Sequence, residues 1–296
     1  MKYITVTLNP AIDHSYVLSE PFKTEELNRA SSMSEISYSG KGINVSRELV
    51  RLGADPKVLC LIGRKGGDEA YERFLAEGLN VFAVRTDGRM RRNVSVIDPY
   101  GKSVEINEPG DEIGFEDTLR FFSLYDKLIN EEGKKAVIIS GSAPPGFRSD
   151  VYERLIISAS GAGCKVILDA DGELLEKGIE GGPDLIKPNA AELSVLTGQK
   201  LHGKGESKRL SALAAAAYIY EKTGTAVLCT LGEDGSVYSG PEGKLECEGI
   251  PVNIKRFKGA GDIYLARYVY EIFERGADAE TAMKKAAKRA SEYLGN

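Results

Sequence analysis

The sequence predicts an α/β protein built on a mostly parallel central sheet with helices on both faces. Short β-type apolar runs alternate along the chain with longer stretches of helical periodicity, the pattern of βαβ units whose crossover helices cover a shared sheet. Polar, glycine-containing loops follow several of those runs, and in such sheets ligands bind beyond the carboxyl ends of the strands. With 296 residues, 42% of them hydrophobic, the chain can bury a sizeable core as one large domain or two ordinary ones.

The strand candidates are residues 3–8, 58–62, 137–140, 166–169, 185–187 and 227–231. Helical patterns fall at 45–52, 69–77, 150–160, 190–196, 209–222, 262–274 and 279–293. The first strand runs into Asn9-Pro10-Ala11-Ile12-Asp13. Pro10 ends it and leaves Asp13 in a loop, either as an ordinary turn residue or as an acceptor for sugar hydroxyls. Residues 30–39 alternate in part, with apolar side chains at Met33, Ile36 and Tyr38.

Gly40-Lys41-Gly42-Ile43-Asn44 opens the next helix. The glycines permit close backbone approach, Lys41 can meet a phosphate, and Asn44 offers a polyol both donor and acceptor. Arg89-Met90-Arg91-Arg92-Asn93 leads into a hairpin over 93–107, with Val94, Val96, Val104 and Ile106 flanking a Pro99-Tyr100-Gly101 turn. A charge run is usually a solvated edge. Strand alternation nevertheless puts Arg91 and Asn93 on one face and Arg92 on the other, and a guanidinium suits phosphate bidentately. Residues 10–38 and 89–110 therefore read as a small β lid inserted into a large domain of residues 1–9, 39–88 and 111–296.

Ser140-Gly141-Ser142-Ala143-Pro144-Pro145-Gly146 forms a rigid loop after a buried strand. Lys187-Pro188-Asn189 ends another, and Asn189 with Glu192 makes a good capping box. The competing reading puts Lys187 on nucleotide phosphates and uses Asn189 and Glu192 to hold water around Mg²⁺, which prefers few protein ligands. The loop of Thr230, Gly232 and Gly235 either lines a nucleotide or forms a hairpin turn. Finally Gly259-Ala260-Gly261-Asp262 opens a helix. Its free amides and the helix dipole suit an anion, and Asp262 at its mouth can take the proton of an attacking hydroxyl. Phosphoryl transfer needs those two parts together, although an Asp at such a turn also serves as a plain cap.

The net charge of −5 speaks against a general nucleic-acid binder. Cys60, Cys164, Cys229 and Cys247 have no Cys-x-x-Cys spacing and are too few for a disulfide scaffold. His14 and His202 are the only histidines, which speaks against a structural zinc site. No apolar run approaches a membrane span and no signal peptide opens the chain, so a reducing cytoplasm is the expected home.

In order, NPAID at 9–13, GKGINVSRELVRLG at 40–53, EINEPG at 105–110, SGSAPPG at 140–146, IKPNAAEL at 186–193, TLGEDG at 230–235 and GAGD at 259–262 resemble the ribokinase-like (phosphofructokinase B) sugar kinases. The branch of 1-phosphofructokinases and tagatose-6-phosphate kinases is the most similar. The resemblance implies a three-layer α/β/α ribokinase-like fold with a small β lid. It implies an ATP- and Mg²⁺-dependent kinase for a ketohexose monophosphate, either fructose 1-phosphate, giving fructose 1,6-bisphosphate, or tagatose 6-phosphate.

Carried onto this chain, Asp13, Gly40 and Asn44 would hold sugar hydroxyls, Lys41 and Arg91 the acceptor's phosphate, and Asn93 and Ser140 would complete the substrate site. Lys187, Asn189 and Glu192 would serve ATP phosphates and metal, with Thr230, Gly232 and Gly235 along the nucleotide. The amides of Gly259, Ala260 and Gly261 would form an anion hole, and Asp262 would be the base. Relatives often dimerise through their lids, so a homodimer is expected.

The chain also departs from the family pattern. Ser39 replaces the first glycine of a pair, Arg256-Phe257-Lys258 replaces small and β-branched residues, Ile263-Tyr264 replaces a small residue and Phe, and Arg267 stands where a glycine packs. The sequence stops at Asn296, short of the segment that in relatives walls the adenine. These changes put monovalent-cation dependence and the nucleotide side in question. They keep open a catalytically weak relative that binds sugar phosphate, and a kinase for an unphosphorylated sugar or nucleoside.

Overall fold

A computed structural model describes residues 1–32, 35–255 and 258–295. In chain order its strands are β1 (Lys2–Thr7), β2 (Ala11–Val17), β3 (Glu35–Ser39), β4 (Lys57–Gly63), β5 (Asn80–Arg89), β6 (Arg91–Ile97), β7 (Ser103–Asn107), β8 (Lys135–Ser140), β9 (Lys165–Asp169), β10 (Leu185–Ile186), β11 (Ala226–Thr230), β12 (Ser236–Gly240) and β13 (Gly243–Cys247). The helices are α1 (Lys41–Arg51), α2 (Arg64–Ala76), α3 (Phe115–Ile129), α4 (Val151–Gly161), α5 (Gly172–Glu180), α6 (Ala190–Thr197), α7 (Glu206–Thr223), α8 (Ala260–Arg275) and α9 (Ala279–Gly295).

Nine strands make one sheet in the order β13-β12-β11-β10-β9-β8-β1-β4-β5. Pairing is parallel from β11 to β5, and β12 with β13 forms an antiparallel edge. Strands covered on both faces read as continuous apolar runs, and the buried β4 (KVLCLIG) is such a run. Ile4 and Val6 of β1 point into the layer of α3 to α7 beside Phe121, Tyr125 and Leu155. Tyr3 of the same strand points to the other layer with Val45 of α1 and Leu265 of α8. The result is the expected three layers, each fully buried Leu or Ile contributing about 1.5–3 kcal/mol.

A second sheet, in the order β3-β2-β6-β7, lies apart from the first. Here the structure corrects the sequence reading. Asp13, expected in a loop, sits within β2, paired with Ser37 on one side and Asn93 on the other. Pro10 does separate two strands, but the chain resumes as β2 directly after it. The alternation expected from residue 30 becomes regular only in β3, and Met33 lies outside the described residues. Among the described residues no helix is long and apolar enough to cross a membrane.

Candidate active site

On the sheet face turned towards α1 and α8, the strands change character at their carboxyl ends. Tyr3, Thr5 and Thr7 follow one another on that side of β1; Ala136, Ile138 and Ser140 on β8; Ile167 and Asp169 on β9. Ser140 and Asp169 are register partners. Lys187, just past β10, extends the row through its amide bond to Leu168 O at 3.0 Å. An apolar core thus ends in a shelf of hydroxyl, carboxylate and ammonium groups.

Two helix N-termini meet that shelf. α1 can start there because Gly42 has no side chain: a Cβ would stand 3.0 Å from Val6 O and closer still to Thr7 Oγ1. α8 starts at Gly259, whose φ of 87° lies in the left-handed region open to glycine. The two helices bring Asn44 and Asp262 together, with Asn44 Nδ2 donating to Asp262 Oδ2 at 2.8 Å. Lys41 Nζ lies 3.1 Å and Lys187 Nζ 3.3 Å from the same oxygen of Asp169. A Cβ on Gly261 would stand 3.7 Å from Lys187 Nζ, so that ammonium lies against the glycine turn.

The electrostatics follow from burial. Asp262 is only 7% exposed. Burial, and then the neighbouring Asp169 carboxylate, push its pKa up to about 6 against the pull of Asn44, Lys41 and Lys187. Burial works against the charge on Lys41, but Asp169, Asp262 and Glu192 outweigh it and hold the ammonium above its ordinary range. Thr7 Oγ1, Ser140 Oγ and Asp169 Oδ2 are buried with no hydrogen-bond partner.

Two cavities adjoin this cluster. One, of about 730 Å³, is lined by Asn9, Lys41, Arg91, Asn107, Ser142 and Asp171 among others. The other, of about 630 Å³, is lined by Thr230, Gly232, Gly235, Gly261, Tyr264 and Leu294 among others. Lys41, Asp169 and Lys187 form a continuous ion-paired bridge from the first cavity to the glycine turn bordering the second.

On the lid side, Asp13 accepts from Asn93 Nδ2 at 2.8 Å and from Ser39 Oγ. Serine at position 39 thus anchors the carboxylate. Arg91 Nε donates to Asn9 O at 2.9 Å. Burial lowers its pKa, while Asp13, Tyr152 and Asp171 oppose that shift.

On the other side, Asn189 and Glu192 form the full capping box of α6, which occupies one carboxylate oxygen of Glu192. Ser140 Oγ, like Asp169 Oδ2, is buried without a partner at the shelf, while Gly141 and Ser142 line the cavity beside it. Tyr264 Oη lies 2.8 Å from Ser236 Oγ in the floor of the second cavity. Arg267 meets Glu271 at 2.6 Å, and Lys285 joins the same carboxylate at 2.7 Å. Arg267 and Lys285 thus share one buried carboxylate at the α8–α9 contact. Arg256 and Phe257 lie outside the described residues.

Sequence reasoning missed Asp169 and, on the wall of the first cavity, Asn9, Arg148 and Asp171. The available signal for Asp169 was a carboxylate ending an otherwise apolar strand. Among the described residues no three His, Cys, Asp or Glu side chains cluster as a metal ligand set. Mg²⁺ asks for only one or two carboxylates where phosphates and water supply the rest. The unpartnered oxygen of Asp169 and the oxygen of Glu192 left over from the cap fit that smaller demand.

Residues 6–295 match the model of the pfkB family carbohydrate kinases. The chain is 31% identical to a 1-phosphofructokinase of Borreliella burgdorferi over 99% of its length and 92% of that protein's. It is 33% identical to a 1-phosphofructokinase of Rhodobacter capsulatus over 73% of its length and 68% of the relative's. A crystal structure of a mutant of Escherichia coli phosphofructokinase-2 superposes with a TM-score of 0.89 at 24% identity, covering 100% of this chain and 94% of that one.

Proposed function

The chain belongs to the pfkB family of carbohydrate kinases, and on that footing we propose that it transfers the terminal phosphoryl group of ATP to a ketohexose monophosphate. Fructose 1-phosphate, giving fructose 1,6-bisphosphate, is the acceptor we assign, because two relatives at 31% and 33% identity are named 1-phosphofructokinases. The observation that carries the reaction is the ion-paired bridge from the lid-side cavity to the glycine turn, with Asp262 and Asn44 beside it.

In this reading the lid-side cavity holds the sugar and the cavity beyond Gly261 holds the nucleotide. Asp13, Asn44 and the backbone at Gly40 meet sugar hydroxyls, and Arg91 meets the phosphate already on the acceptor. Asp262 accepts the proton of the attacking hydroxyl, and Asn44 keeps its carboxylate aimed. The amides of residues 259–261 and the Lys187 ammonium face the charge that develops on the transferring group, where preorganised donors act most strongly. Lys41, held by Asp169, extends positive charge towards the acceptor. Glu192 and Asp169 would hold Mg²⁺, which would supply charge to offset that on the phosphates.

A homodimer formed through the lid is part of the proposal. Strand register places Ile36, His14, Val94 and Ile106 in one row across the lid sheet. Ile36 and Ile106 are 53% and 62% exposed, an apolar strip that a second copy can cover.

An ADP-release panel tests the assignment: fructose 1-phosphate, fructose 6-phosphate, tagatose 6-phosphate, ribose and adenosine, each with Mg-ATP and Mg-GTP. We expect the highest kcat/KM with fructose 1-phosphate and ATP. A preference for tagatose 6-phosphate reassigns the acceptor. Sugar-phosphate binding without turnover of any pair marks a binding relative and rejects the kinase.

A further inference from the structure

A carboxylate just ahead of a helix ordinarily folds back onto the free amides of the first turn. Asp171 holds that position before α5, with φ −128° and ψ 167°, yet its side chain makes no capping bond. It lines the lid-side cavity together with Arg91, Lys41 and Arg148. Its charge acts on the Arg91 guanidinium and on the buried Tyr152 hydroxyl beneath it. Arg91 has a second acidic neighbour in Asp13, but both oxygens of Asp13 are already taken by Asn93 and Ser39.

The cavity wall carries the cations Lys41, Arg91 and Arg148 and the carboxylates Glu108, Asp171 and Glu173, which cancel. A pocket for a dianionic phosphate gains affinity from a positive excess, and this one has none while Asp171 lines its wall. Glu108 is engaged by the Arg92 amide at 2.9 Å. Asp171 has an alternative place to go, since its backbone is already extended for capping α5.

We propose that Asp171 sets the selectivity of the site for phosphorylated acceptors, its charge opposing an incoming phosphate from the cavity wall it shares with Arg91, and that opposition easing when it turns back to cap α5. The inference rests on the acceptor assigned above. A unit charge several ångströms from a phosphate in a half-exposed cavity changes affinity by about three- to tenfold, less as salt rises.

The test is the ratio of kcat/KM for fructose 1-phosphate to that for fructose, measured in the wild type, Asp171→Asn, Asp171→Ser and Asp171→Glu between about 0.05 and about 0.5 M salt. The two neutral variants are expected to raise the ratio about three- to tenfold at low salt through a lower KM for the phosphorylated sugar. That gain should shrink at high salt, and the Glu variant should stay near wild type. A ratio that the neutral variants leave unchanged, or a Glu variant that behaves like them, overturns the role of Asp171 alone. A wild type with no preference for the phosphorylated sugar defeats the acceptor assignment and this inference together.

Discussion

Asp262 is buried, bonded to Asn44 and close to a second carboxylate, so its proton is held more tightly than in water, up to about pH 6. A base must be deprotonated to act, and kcat/KM reports the ionisation of the free enzyme. The acid limb of the pH profile should therefore fall near pH 6, and Asn44→Ala, which removes a bond that lowers the pKa, should move it upward. A limb that stays in place would put the base elsewhere. The same shift makes the folded state keep a proton that the unfolded chain loses above 3.8. That contribution to stability is full below 3.8 and disappears as pH rises through about 6, and Asp262→Asn should remove this slope from a melting-temperature series. Asp262, Lys41 and Asn44 were legible because each follows a glycine turn that opens a helix. The engagement of Lys41 and Lys187 with one oxygen of Asp169 was not, because it depends on strand order, which no local pattern encodes.

The helices that position these groups depend on what the chain omits. A methyl group at residue 42 would collide with Thr7 and with Val6 O, lifting α1 and with it Lys41 and Asn44. Gly42→Ala should cost about 1–3 kcal/mol in urea unfolding and lower turnover as well. Gly161, at the end of α4, has open space where a Cβ would stand, with nothing within 4 Å, and no left-handed φ. Gly161→Ala should instead stabilise by about 0.4–1 kcal/mol by restricting the unfolded chain. Equal effects at the two sites would contradict the packing described. Long periodic helices such as α7 were visible in the sequence. α5 was not, being nine residues with glycines at 172 and 178. β2 was hidden because Asp13, His14 and Ser15 interrupt its apolar pattern, and the polarity of Asp13 and Ser15 serves cross-strand bonds to Asn93, Ser39 and Ser95 rather than a loop. Capping and metal readings of Asn189 and Glu192 looked alike in sequence because both use the same atoms, and the cap takes most of them.

At the scale of the whole molecule, the lid and the glycine turn before α8 are joined. Lys258, next to Gly259, pairs with Glu105 of β7 at 3.2 Å, and Arg89 ties the base of the lid to Asp111. Exposed pairs of this kind contribute about 0–1 kcal/mol, enough to bias a lid without locking it. If the apolar strip on the lid seats a second copy, Ile106→Lys should halve the mass seen by light scattering, whereas an identical mass for both proteins would remove the proposed interface. The overall architecture was readable from the alternation of apolar runs and helices, and the motif order pointed to the kinase family; the sharing of Glu271 by Arg267 and Lys285 and the charges around Arg91 emerged only once α9 and the cavity wall were placed. Everything proposed for this enzyme turns on one carboxylate facing a bound sugar, and turnover of fructose 1-phosphate with Mg-ATP by Asp262→Asn tests it most directly. The expected result is a fall in kcat of about 10²-fold or more with acceptor binding retained; turnover close to wild type would contradict the assignment of Asp262 as the base.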